Sequence, residues 1–157
     1  MRKHDREIKD RSKLKEILKS ANVVRIAIMD GDKPYIVPLN YGYHENCLYI
    51  HCATEGKKLD LLRHNIHVCF EVEDSVRIIG GEKACKWTTS FRSIIGYGDI
   101  EIIEDNQQKI EALKILMSHF GAPHLHEFDK KNVKITTILK LKITEMTGKA
   151  SKDLLKD

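Results

Sequence analysis

Turn signals and broken alternation constrain this chain most. In "NVVRIAIMDGDKPYIVPLNYGYHENCLYIHCA" two tight turns separate three short apolar-rich runs. The first run spans about Val23 to Met29. "DGD" at Asp30 to Asp32 is a hairpin signal, because a two-residue connection favours glycine or Asx residues. The second run carries Pro34 and Pro38. Proline lacks an N–H, so this strand cannot pair regularly on both sides. "HEN" at His44 to Asn46 makes the next turn, and the third strand covers about Cys47 to Ala53. Hairpin-linked strands pair antiparallel, which excludes a wound parallel sheet for this half of the chain.

The remainder supports the same architecture. A helix with a narrow apolar face is expected from about Asp5 to Ser20, carried by Ile8, Leu14, Ile17 and Leu18 within an N-terminal segment of residues 1–20. A short helix from about Gly56 to His64 follows the third strand. Ile66, Val68, Phe70 and Val72 then alternate with polar or small residues, the mark of a half-buried strand. "DSVRIIGGEKACKW" reads as a loop. "FRSIIGYGDIEIIED" reads as a long strand whose internal Gly96 and Gly98 signal a bend or a close approach. Asp105 with Gln108 opens a second helix in capping-box fashion, its apolar face formed by Ile110, Leu113, Met117 and Phe120. A last strand has Ile135, Leu139, Leu141 and Ile143 on one face and lysines on the other. The tail, residues 148–157, is expected to be ordered only in part. Six strands with few helices favour a small, mainly β, antiparallel barrel in one domain covering residues 1–157.

Composition removes several function classes. Hydrophobic residues make up 41% and charged residues 32% of the chain, which is ordinary for a globular protein. No apolar run approaches the ~18 residues that cross a bilayer, and the charged N-terminus has no apolar segment after it. A cytoplasmic protein without a membrane partner is the expectation. The formal net charge of +4 is spread among acids, so no nucleic-acid stripe stands out. Cys47, Cys52, Cys69 and Cys85 form no C-x-x-C pair and read as reduced packing residues. The histidines have no convincing ligand spacing, and no metal site is expected.

Two stretches look suited to an anion. In "ATEGKK", Thr54 is a candidate N-cap and Gly56 permits close backbone approach. Lys57 and Lys58 fall in the first helical turn, where the dipole disfavours cations. A bound phosphate would reverse that penalty. The plain alternative is that both lysines point into water. The second stretch is "WTTSFRS", where Arg92 accompanies Thr88, Thr89, Ser90 and Ser93 beside the only Trp; its plain alternative is a polar loop entering a strand. His51 lies near a strand end, where a hydrogen-bonded structural role competes with a chemical one.

The blocks "PYIVPLNYGY", "LYIHCATEGKKLDLLRHN", "TTSFRSIIGYGDIEIIED" and "KITEMTGKASK" resemble the FMN-binding split-barrel proteins. The match is to the pyridoxamine 5′-phosphate oxidase-like group that includes the 5-nitroimidazole-resistance proteins. It covers about Ile17 to Lys152, and the H-x-A-x-x-G-x-K element (His51, Ala53, Gly56, Lys58) is its most specific part. The resemblance implies a six-stranded Greek-key split barrel with flanking helices, and a homodimer with two FMN sites at its interface. It implies that Pro38, Leu39 and Asn40 line the flavin ring with His51, Cys52 and Ala53. Lys57, Lys58, Ser90 and Arg92 would meet the phosphate, with the choice among Thr88, Thr89 and Ser90 left open. Many relatives carry a small residue such as Gly where this chain has Cys52. The implied activity is an oxidoreductase that takes electrons from NAD(P)H and reduces a small acceptor such as a nitroimidazole, with His51 as the candidate catalytic residue. Two alternatives are a flavin-binding sensor or carrier without turnover, and a haem-binding split barrel using His119, His124 or His126.

Overall fold

The computed structural model describes residues 4–155. A short strand β1 (Glu7–Ile8) precedes helix α1 (Arg11–Ser20), followed by strands β2 (Val23–Asp30), β3 (Lys33–Asn40), β4 (Gly42–His44) and β5 (Cys47–Cys52). Helix α2 (Lys57–Leu62) leads into the long strands β6 (His67–Ile79) and β7 (Thr88–Ile103). Helices α3 (Asn106–His119) and α4 (Lys130–Lys134) precede the last strand, β8 (Thr137–Ala150). The fold is mainly β with flanking helices.

The strands form one antiparallel sheet in the order β3-β2-β6-β7-β8-β5-β4, with β1 added to β8. The six expected strands are all present as β2, β3, β5, β6, β7 and β8. The described residues form eight strands, because β1 and β4 are short additions that periodicity alone does not resolve. The sheet curls around one core. Val24, Ile26 and Ile28 meet Leu48, Ile50, Phe70, Ile94, Leu139 and Leu141 there, and α1 and α2 close it with Leu14, Ile17, Leu18, Leu59 and Leu62. All of these side chains are buried, which supplies the hydrophobic driving force.

The turns follow the chemistry expected of them. Asp30 pairs with Lys33 across Gly31 (φ 63°) and Asp32. His44 pairs with Cys47 across Glu45 and Asn46, both at positive φ. Among the described pairings β3 bonds only to β2, so it is an edge strand that tolerates Pro34 and Pro38.

Several elements differ from expectation. The N-terminal helix begins at Arg11, not Asp5, because Asp10 caps it by accepting from the Ser12 N–H at 2.8 Å. Ile8 reaches the core from β1, opposite Gly148. Residues 1–3 of the expected N-terminal segment lie outside the described residues, as do residues 156–157 of the tail. Ile66 precedes β6 and is exposed. The expected loop after Asp74 is a continuation of β6 past a bulge at Ser75 (φ 55°). On α3 the buried residues are Lys109, Ala112 and Leu116 rather than the larger apolar set. The helix backbone at Leu116 lies so close to Gly42 that a Cβ there would stand 2.9 Å from Leu116 Cα, and this contact sets the inward face. Ile135 ends the unanticipated helix α4 and is exposed. The tail is docked: Ser151 N–H donates to Phe91 O at 2.9 Å, and Leu154 and Leu155 pack on the core.

Candidate functional site

The C-terminal end of β5 and the start of α2 bring together His51, Cys52, Ala53, Lys57 and Lys58. Pairing of His51 with Ile138 and Cys52 with Thr137 fixes the strand to its last residue. Alternation then exposes the His51 imidazole and turns Cys52 inward against the core. Among the described residues the His51 imidazole has no hydrogen-bond partner. Burial pushes the Cys52 thiol upward, against a smaller downward pull from the Lys58 charge. Cys52 is therefore a neutral wall group, and Lys58 lies close enough for its field to reach it.

The helix cap differs from expectation. Gly56 (φ 122°) is the N-cap and no side chain caps the helix, so Thr54 does not serve that role. A φ of this sign disfavours any L-residue side chain, which explains the glycine. Because α2 is only six residues long, its dipole is weak and the two lysines carry most of the local charge. They are not equivalent. Lys57 Nζ sits 2.6 Å from Asp30 Oδ2 and 5.1 Å from the Tyr35 ring centroid. The Asp30 hydrogen bond raises the Lys57 pKa, aided by the charge of the same carboxylate. Lys58 is half-buried and has no ion-pair partner among the described residues.

Strand β3 supplies Pro38, Leu39 and Asn40. Leu39 turns inward and packs on the core, while Pro38 and Asn40 are exposed. The Asn40 amide donates to Asn22 O at 3.1 Å, which leaves its side-chain oxygen able to accept from a ligand.

Ser90 and Arg92 stand elsewhere. In the strand ladder, His51 and Ile103 share the Ile138 row, whereas Arg92 pairs with Ala150. Eleven residues of β7 separate Arg92 from Ile103, about 36 Å along the strand. The expected meeting of Lys57 with Arg92 therefore does not occur within one chain. Both residues are also engaged. The Ser90 hydroxyl is fully buried and donates to Asp153 Oδ2 at 2.6 Å. The Arg92 guanidinium holds Asp74 through two hydrogen bonds, at 2.9 and 2.6 Å. The Ser20 hydroxyl also donates to Asp74. Asp30, Tyr35, Asp74 and Asp153 escape sequence reading because each meets its partner through tertiary contact.

The glycines of β7 have a structural explanation. A Cβ at Gly96 would stand 2.5 Å from Phe70 Cζ, and one at Gly98 would stand 2.5 Å from Lys142 O. His119 is likewise structural: its ring bonds Ala21 O at 2.8 Å and accepts from the Tyr43 N–H at 3.4 Å. All four cysteines are free, and no cluster of three or more His, Cys, Asp or Glu suits a metal among the described residues. No described helix is long and apolar enough to cross a membrane.

Residues 10–150 match the sequence family of pyridoxamine 5′-phosphate oxidase. The structure resembles that of a candidate 5-nitroimidazole antibiotic resistance protein from Bacteroides thetaiotaomicron, with a TM-score of 0.81 and 29% identity over 92% of this chain and 86% of that one. Flavocytochrome Anf3 from Azotobacter vinelandii shares the fold at TM-score 0.82 and 22% identity, over 97% of this chain and 72% of its own. The FAD and haem binding protein from Mycobacterium smegmatis shares it at TM-score 0.82 and 20% identity, over 94% and 74%. A curated but uncharacterised relative from Rhizobium meliloti (strain 1021) is 28% identical over 67 residues, 43% of this chain and 44% of the relative.

Proposed function

The chain belongs to the pyridoxamine 5′-phosphate oxidase family, and from that premise we propose that it is an FMN-binding oxidoreductase that uses NAD(P)H to reduce a small acceptor such as a nitroimidazole. The observation that carries this reading is Lys58. It is a half-buried cation without a carboxylate partner among the described residues, at the end of the H-x-A-x-x-G-x-K element that begins with an exposed His51. A phosphate-bearing flavin fits these residues. Lys57 and Lys58 offer two cations, and Gly56 adds open backbone, with no atom within 4 Å of where a Cβ would stand.

A flavin held there would supply the hydride and electron transfer between nicotinamide and acceptor. The protein's residues hold and orient it. Lys58 would pair with the phosphate, and Lys57 would do so in competition with Asp30. Pro38 removes a backbone donor from the exposed edge of β3, and the Asn40 oxygen would be free to accept a hydrogen bond from the flavin. Cys52, held neutral by burial, packs as a wall without reacting. His51 has no competing hydrogen bond among the described residues and can deliver a proton to the reduced acceptor. The Ser90 hydroxyl proton is committed to Asp153 and two of the Arg92 donors to Asp74, so in this reading phosphate binding rests on the lysines.

The site is completed by a second copy of the chain. A two-fold axis that runs the two sheets antiparallel would bring the Arg92 end of one copy to the His51 end of the other. Steady-state NADH and NADPH oxidation, with and without a nitroimidazole, tests the activity. Flavin that binds but is reduced by neither nicotinamide would assign the chain a binding role without turnover.

A further inference from the structure

Three strand ends meet between helices α2 and α3. Cys52 ends β5 and pairs with Thr137, the first residue of β8. Ile103 ends β7 opposite Ile138. The chain leaves β5 for α2 and β7 for α3, and a cavity of about 190 Å³ opens among them. Its polar lining is Thr54, Arg63, Glu104, Lys109 and Thr137, with Leu59 on its apolar side. Neither Lys57 nor Lys58 lines it, so it is separate from the lysine pair assigned to the flavin phosphate.

Lys109 is out of place by the rules of burial. It stands on the inward stripe of α3 with Ala112 and Leu116, at helical spacing, where an apolar side chain would pack. Only 8% of the residue is exposed. A lysine is almost never buried this far without a partner, because its ammonium loses hydration. Yet Lys109 forms no side-chain hydrogen bond or ion pair among the described residues. Its nitrogen is not sealed off either, since the side-chain atom buried without a partner among those residues is Arg6 Nε. The ammonium therefore opens onto the cavity that the residue lines. Thr137 repeats the pattern. It is 9% exposed, and its hydroxyl forms no hydrogen bond among the described residues.

Two further donors line the same space. Arg63 spends one nitrogen on Asp60 at 3.0 Å, in an exposed pair, and keeps its other donors. The Thr54 hydroxyl has no partner among the described residues. Against these two cations stands one acid, the exposed Glu104, so the lining is net positive. Size decides the ligand class. A nucleotide or drug-sized molecule needs roughly 300 Å³ or more, which this cavity does not offer. A tetrahedral oxyanion is small enough, and an ammonium, a guanidinium and two hydroxyls suit its four oxygens.

We propose that this cavity binds a small oxyanion of the phosphate or sulfate class, held by Lys109, Arg63, Thr54 and Thr137. The anion would tie α2 to α3 and to the start of β8, and so steady the helix whose first residues are Lys57 and Lys58. The proposal stands on these residues alone and does not depend on the flavin reading.

The probe is inorganic phosphate, added to the flavin-free protein in chloride buffer of matched ionic strength. Calorimetric titration and thermal melting are followed together. Wild type should bind phosphate saturably, and its melting temperature should rise with occupancy. Lys109→Met removes the cation and keeps an unbranched buried chain. Without phosphate it should melt at or above wild type, because an unpaired buried charge is gone. Its phosphate affinity should fall at least about tenfold. Thr137→Val, close in shape, should weaken phosphate about three- to tenfold and serves if Lys109→Met fails to fold. Lys57→Ala with Lys58→Ala should keep the phosphate response. Wild type that binds neither phosphate nor sulfate, or unchanged binding in folded Lys109→Met or in Thr137→Val, would overturn the proposal. Binding lost in the Lys57, Lys58 double variant would move the anion to the flavin end and overturn it as well.

Discussion

Lys57 Nζ lies 2.6 Å from Asp30 Oδ2, so the hairpin between β2 and β3 supplies a carboxylate that occupies one of the two lysines read as a phosphate pair. The contact joins residues far apart in sequence. It changes what the lysines can do: one is already partly neutralised and the other is not.

Removing the competing carboxylate should therefore help the ligand. Asp30→Asn should tighten FMN binding by about two- to fivefold, the range expected when an exposed pair is released. Fluorescence titration measures it. Weaker binding would show that Asp30 instead aims Lys57 at the ligand.

The Arg92–Asp74 pair should behave as part of the fold. It is bidentate and largely shielded from water, and Ser20 adds a third hydrogen bond to Asp74. Asp74→Ala leaves the guanidinium half-buried with only the exposed Glu16 carboxylate, 3.8 Å away, to face it, and should cost about 3 kcal/mol in chemical denaturation of the apoprotein. An unchanged midpoint would return Arg92 to the pool of available anion-binding groups.

Asp153 sets a pH dependence. Hydrogen bonds from Ser151 and then Ser90 lower its pKa from 3.8 to about 2. A carboxylate depressed in the folded state stabilises it above the unfolded pKa, and that contribution is lost as pH falls through the folded value. The melting-temperature gap between wild type and Asp153→Asn should thus be full at pH 7 and close between about pH 4 and pH 2. A gap independent of pH would contradict the assignment.

Gly96 should not tolerate a methyl group. The added carbon would meet the Phe70 ring and the Glu145 carbonyl at 2.5 and 2.7 Å, from the two strands that flank β7. Gly96→Ala should destabilise by about 1–3 kcal/mol, as overpacking does. The same change at exposed, positive-φ Gly31 strains only a turn, and comparing the two separates packing from backbone effects.

Local rules made much of the fold legible. Turn chemistry at Gly31 and at Glu45–Asn46, alternation along Val68–Val72, and the prolines of β3 gave six strands in antiparallel order. Elements held by contact rather than periodicity stayed hidden. β1 forms because Ile8 meets Gly148, β4 because Gly42 admits α3, and the part of β6 beyond Ser75 because Asp74 and Asp153 brace its base. The site was legible as a list and not as a geometry. His51, Cys52, Ala53, Lys57 and Lys58 are neighbours in sequence and therefore in space. Ser90 and Arg92 shared their residue chemistry with a phosphate site, but their carboxylate partners lie at Asp153 and Asp74, whose approach no spacing rule reveals.

Titration of the purified protein with FMN, followed by flavin fluorescence and visible absorbance, tests the central claim most directly. Wild type should bind FMN, and Lys57→Ala with Lys58→Ala should weaken binding at least about tenfold, as expected when charge-assisted phosphate contacts are lost. The apoprotein should keep its circular dichroism and melting temperature. A wild-type protein that takes up no FMN, or a double variant that binds as wild type does, would contradict the account.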